Sequence, residues 1–207
     1  MTRARAVALV LAVAACDAAT PPDRPRPYDY ALLVRGGPVL SFRWPESSLP
    51  VRIWVQPGTD LPFAVQAAIQ VWEETALYGE FRGVIVSDSL SADVHVSLGT
   101  PFSSDRSITL NCGGSTGIGV WLDSTIVLPF PITLNRRLGV SSSDLADCFV
   151  LVATHELGHA LGLFQHSDDP QDLMHARPSD AGMSPRDRAT FDQLYHSPVS
   201  VRLPPSR

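Results

Sequence analysis

Val51, Ile53 and Val55 alternate with Arg52, Trp54 and Gln56, the period of a strand with one buried face. Asp60 then stands where a helix cap belongs. Val65, Ala68, Ile69, Trp72 and Ala76 make one apolar helical stripe, which Gly79 closes. Trp72 on that stripe reads as core. Phe81 to Val86 forms a second predicted strand, and Val94, Val96 and Leu98 alternate with His95 and Ser97 in a third. His95 there reads as an outward polar residue. Residues 100–116, rich in Ser, Thr and Gly, read as a loop carrying Cys112, and Gly117–Leu122 and Ser124–Leu128 read as further strands. Ser141-x-x-Asp144 resembles a capping box and opens a central helix. Phe149 to Ala153 is apolar all round, so that helix passes through the core. Ser184-Pro185-Arg186-Asp187 opens a last helix with Ala189, Phe191, Leu194 and Tyr195 apolar.

The 207 residues suffice for one well-formed core. The net charge of −5 and the lack of a basic run argue against nucleic-acid binding. Arg3 and Arg5 precede an unbroken apolar run, Ala6 to Ala15, too short to span a membrane but suited to an export signal. It ends Val13-Ala14-Ala15-Cys16, which resembles a bacterial lipoprotein box. On that reading residues 1–15 are a signal peptide and Cys16 is lipidated. The protein would then be held at the cell envelope, on its periplasmic or outer side, by a lipid anchor. Residues 16–47 contain a Pro-rich run, Thr20 to Pro27, and read as an extended tether. The domain proper is expected over 48–197, with a loose tail from 198 to 207. Cys112 and Cys148 remain as a pair in an oxidising compartment, where a disulfide is expected.

The chemistry concentrates in Thr154-His155-Glu156-Leu157-Gly158-His159-Ala160-Leu161-Gly162-Leu163-Phe164-Gln165-His166. Four residues apart on a helix, His155 and His159 share a face and can meet one metal ion at roughly 2.0–2.1 Å. Glu156 emerges about 100° further round and can point at water instead of the metal. Gly162 can end the helix in a left-handed turn, letting His166 return as a third ligand. Three ligands leave zinc an open position, the catalytic arrangement.

This H-E-x-x-H stretch, with its downstream glycine and histidine, resembles the metzincin clan of zinc endopeptidases and within it the matrixins. The clan's spacing puts the third ligand at position 165, here Gln. His166 lies one residue later, an insertion that a loop absorbs. Asp168 and Asp169 are alternative third ligands. Met174 matches the methionine that lies in a turn beneath the zinc, and His175 is structural or faces substrate. The resemblance implies an α+β, zincin-like single domain. It would have a mixed, mostly parallel twisted sheet on two long helices and a small C-terminal subdomain holding the Met-turn and the last helix. It also implies a monomer that cleaves peptides or proteins, with zinc as cofactor and Glu156 as general base. Substrate would pair with an edge strand, for which Ile118–Leu122 is the candidate. The displaced third histidine motivates a rival reading, a non-catalytic cell-surface binding module on the same fold. The resemblance gives no ground for a structural second zinc, a calcium site or a cysteine-switch prosegment.

Overall fold

The computed structural model describes residues 25–102 and 111–205. The expected signal peptide, Cys16 and the Pro-rich run up to residue 24 lie outside them. A two-stranded antiparallel ribbon, β1 (Leu32–Leu33) and β2 (Val39–Leu40), precedes the main sheet. That sheet contains β3 (Val51–Val55), β4 (Gly83–Val86), β5 (Val94–Leu98), β6 (Cys112–Thr116) and β7 (Phe130–Arg136), in the order β4-β3-β5-β7-β6. The first four strands in that order pair in parallel, and only β6 runs antiparallel, against β7. Among the described residues three α-helices complete the fold: α1 (Leu61–Thr75), α2 (Ser142–Ala160) and α3 (Pro185–Tyr195). No helix among the described residues is long and apolar enough to cross a membrane.

Strand alternation decides which face is covered. Ile53, Val96 and Ile132 point the same way and meet Val65 and Ala68 of α1 and Ala153 and Leu157 of α2 around one small apolar gap. Both long helices therefore lie on one face of the sheet. On the other face Trp54 and His95 sit side by side in register, 5.4 Å apart. His95 Nε2 lies 2.8 Å from the Ser89 carbonyl, consistent with an outward polar residue. The architecture is α+β with a mixed, mostly parallel sheet, as expected.

Several local expectations change. Ile118–Leu122 is not the edge strand, because Val120 makes only an isolated bridge to Ile126. The segment Ser124–Leu128 likewise contributes bridges alone. The edge is β6, inside the stretch 100–116 that reads as a loop, because close packing on α2 there requires small side chains. Its neighbour β7 carries Pro131, which argues against a strand. The Phe130 N–H is bonded towards β5 through the Asp93 carbonyl, so position 131 faces the other way. On that side β6 has already ended at Thr116, and only Gly117 reaches the Pro131 carbonyl. The missing N–H therefore costs only the return bond of this last pair, at the end of the ladder. Asp60 occupies the N-cap of α1 without a side-chain cap bond. Ser141 Oγ does accept the Asp144 N–H, and Ser184 with Asp187 forms a full reciprocal capping box.

The boundary expected at residue 48 falls too late. Phe42 and Trp44 are fully buried and pack edge-on at 5.3 Å, and both meet Phe130 at 5.7 and 6.0 Å. Tyr28 is also core. Proline-rich composition suggests a tether, but the aromatic residues behind it need burial. Nor is the tail loose from 198: Val201 is buried, Val201 N–H donates to Ser41, and Arg202 bridges Thr125.

Candidate metal centre

His155, Glu156 and His159 lie in the last turns of α2, where every residue from Leu151 to Ala160 is buried. The end of that helix is held by side chains from distant parts of the chain. Trp72 Nε1 donates to the Thr154 carbonyl, Trp44 Nε1 to that of Ala160 and Tyr195 Oη to that of Leu161. The carbonyls of Ala160 and Leu161 lie where the helix supplies no further N–H, so buried donors are needed there, whereas Trp72 adds a second bond to a carbonyl inside the helix. Gly162 follows at φ +109°, and a Cβ on it would lie 2.0 Å from the Phe42 carbonyl oxygen. Only glycine fits this turn, which sends the chain back along the helix.

That return brings His166 to the pair despite the extra residue. The ring centroids of His155, His159 and His166 are 4.8, 5.2 and 5.0 Å apart, and one ligand nitrogen from each lies within 4.8 Å of the others. His159 Nε2 and His166 Nε2 are 3.3 Å apart. That is the edge of a tetrahedron about a zinc ion at roughly 2.05 Å from each nitrogen, about 3.3 Å. His155 Nδ1 donates to the Leu173 carbonyl and His159 Nδ1 to that of Leu163, at 2.8 and 2.6 Å. With Nδ1 as donor, each Nε2 keeps its lone pair for a metal. Burial lowers His155 to about 4 and His159 to about 3, so both imidazoles are neutral at pH 7. The donor set fits zinc.

Asp168 and Asp169 do not join the triad. Both turn to Arg186, at 2.8 and 3.5 Å, together with buried Asp172. His175 Nδ1 accepts the Arg177 N–H. Met174 is fully buried beneath α2, and a Cβ on Gly158 would meet its sulfur at 2.5 Å. The glycine inside the H-E-x-x-H run is thus what lets this methionine approach.

Two contributors were not legible from the motif. Asp187, fully buried, accepts from the N–H groups of Leu173, Met174 and Ser184 and from Tyr28 Oη. Burial pushes the Tyr28 phenol up, so it remains a donor. Thr116, at the end of β6, places its hydroxyl 2.7 Å from Glu156 Oε2. Burial raises the Glu156 carboxyl to about 7, against the lowering effect of that hydroxyl. In the sequence, Ser184-Pro185-Arg186-Asp187 marks a helix start only. Thr116 left no signal, because its role depends on a strand 40 residues from its partner. The expected disulfide between Cys112 and Cys148 is present and joins β6 to α2.

Two imidazoles from α2 and a third from the returning chain could together hold a metal ion, with a buried carboxylate alongside. The sequence profile of the family described as Matrixin matches residues 55–196, and the chain belongs to that family of zinc metallopeptidases. Among solved structures the chain is similar to myroilysin, at 15% identity over 75% of this chain and 86% of that one, TM-score 0.42. It is also similar to archaemetzincin from Methanopyrus kandleri, at 13% over 72% and 97%, TM-score 0.43. A third likeness is to high choriolytic enzyme 1, a hatching enzyme zinc-protease from the medaka Oryzias latipes, at 15% over 75% and 98%, TM-score 0.41.

Proposed function

We propose that the protein is a zinc endopeptidase in which His155, His159 and His166 hold the metal and Glu156 is the general base. The observation that carries this reading is the convergence of His166 on the His155–His159 pair, with Glu156 on the same helical turn. It also removes the motive for the non-catalytic rival, which rested on a displaced third histidine. Zinc, when bound, supplies a Lewis acid that acidifies water and polarises a carbonyl.

The chain's own residues do the rest. Leu173 and Leu163 fix the two imidazoles so that neither can turn its protonated nitrogen inward. The Glu156 carboxylate, buried and held from one side by Thr116, accepts a proton from water and returns it to the leaving amine. β6 ends the sheet. Its odd-numbered positions bond to β7, so the backbone groups of Cys112, Gly114 and Thr116 face away from it. An extended peptide can add there as a further strand, held mainly by backbone bonds that read no particular sequence.

Glu156→Gln tests the assignment. The variant is expected to keep one zinc per chain and the wild-type melting temperature while peptide hydrolysis falls by about 10²–10⁴-fold. Hydrolysis at the wild-type rate would exclude Glu156 as the base. His166→Ala is expected to lower zinc content where Gln165→Ala does not.

A further inference from the structure

Cys112, Gly114 and Thr116 share one face of β6, and that face lies against α2. Cys112 is bonded to Cys148, two turns before the H-E-x-x-H run. A Cβ on Gly114 would come within 2.5 Å of Val152 Cγ1 and 2.7 Å of Glu156 Oε1. Thr116 Oγ1 lies 2.7 Å from Glu156 Oε2 and 2.9 Å from the Glu156 carbonyl. The strand is therefore clamped to the helix at three successive inward positions, and the last two meet the same carboxylate. Gly114 leaves room for one oxygen, and Thr116 reaches the other.

We infer that Thr116 is a positioning residue for Glu156: its hydroxyl, carried on the edge strand, holds the carboxylate in the one rotamer from which it serves the reaction. The inference rests on the reading of Glu156 as general base. A glutamate has three rotatable side-chain bonds, and one strong hydrogen bond to a charged oxygen selects among its rotamers. Oε2 is the nearer of the two acceptors open to the single hydroxyl proton. Because β6 also presents its outer backbone to substrate, strand placement and base placement are set by the same five residues. A disturbance of the edge would then appear in turnover as well as in binding.

The test uses the zinc-loaded chain with Thr116→Val and Thr116→Ser, assayed on a quenched fluorogenic peptide that wild type cleaves. Thr116→Val keeps the shape and removes the donor. Its kcat is expected to fall about tenfold or more, with KM within about twofold of wild type and one zinc retained. Thr116→Ser is expected to restore kcat to within about threefold of wild type. An unchanged kcat in Thr116→Val, or a loss that Ser does not restore, would overturn the inference. A second readout needs no turnover. Melting temperatures of metal-free wild type, Thr116→Val, Glu156→Ala and the double variant form a cycle. The double variant is expected to lose less than the two single losses together, and strict additivity would also overturn the inference. Full activity in Glu156→Ala would instead sink the general-base reading, while the cycle still reports whether the two side chains are coupled.

Discussion

His155, Glu156 and His159 sit on one helical turn yet respond to acid in opposite senses. The two imidazoles, lowered by burial from 6.5 to about 4 and about 3, are neutral in the fold at pH values where the unfolded chain protonates them. Their contribution to stability is present above about pH 6.5 and is lost as the pH falls towards 4 and 3. Glu156, raised by burial from 4.5 to about 7, keeps its proton in the fold after the unfolded carboxyl has lost it. Its contribution is present below about pH 4.5 and is lost as the pH rises through 7. Two imidazoles outweigh one carboxyl, so the metal-free protein is expected to melt lower at pH 5 than at pH 7.5. Glu156→Gln removes the opposing group and should deepen that drop. Calorimetry of the chelated proteins decides this, and parallel curves for variant and wild type would contradict the raised carboxyl. At this scale the sequence was readable wherever function sits at helical spacing. His155, Glu156 and His159 are fixed relative to one another by the 3.6-residue turn alone. Thr116 and Asp187 reach the site from other elements, and no local periodicity carries them.

The Met-turn is an element without regular structure, and its order comes from one carboxylate. Asp187 opens α3 through its capping box with Ser184 and simultaneously accepts the Leu173 and Met174 N–H groups. The Leu173 carbonyl in turn accepts His155 Nδ1. A helix cap, a turn and a proposed metal ligand are thereby joined in series. Asp187→Asn replaces an acceptor with a donor facing donors. It is expected to cost about 3 kcal/mol of stability and to weaken zinc roughly 10–100-fold through the His155 partner. Chemical denaturation and a competitive zinc titration measure the two separately, and unchanged zinc affinity would break the proposed series. The edge strand explains why element prediction failed where it did. Cys112-Gly113-Gly114-Ser115-Thr116 has the composition of a loop because α2 leaves no room for larger side chains at Gly114. β7, for which the hydrophobic pattern gives no reading, carries Pro131, tolerated because its missing N–H falls at the end of the pairing with β6. Both are tertiary causes, decided by what packs alongside.

At the scale of the whole molecule, the segment before residue 48 belongs to the catalytic fold. Trp44 supplies a donor to the Ala160 carbonyl at the end of α2, and the Phe42 carbonyl is the surface against which Gly162 turns. Tyr30 accepts the Phe164 N–H, and Tyr28 bonds Asp187. The turn that carries the chain from His159 to His166 is thus built against residues 28–44. Losing a buried aromatic side chain costs about 3–5 kcal/mol, and a domain of this kind is stable by about 5–15 kcal/mol in all. Removing Tyr28, Phe42 and Trp44 together therefore consumes most or all of that margin. A chain of residues 25–207 is expected to melt cooperatively and bind one zinc. A chain of residues 48–207, the boundary that composition suggests, is expected to show no cooperative transition and no stoichiometric zinc. Circular dichroism melts with metal analysis on the two chains make the comparison. A folded, zinc-loaded 48–207 would mean that sheet and helices hold the His159–His166 turn without the aromatic segment, and that the segment only covers a site formed elsewhere.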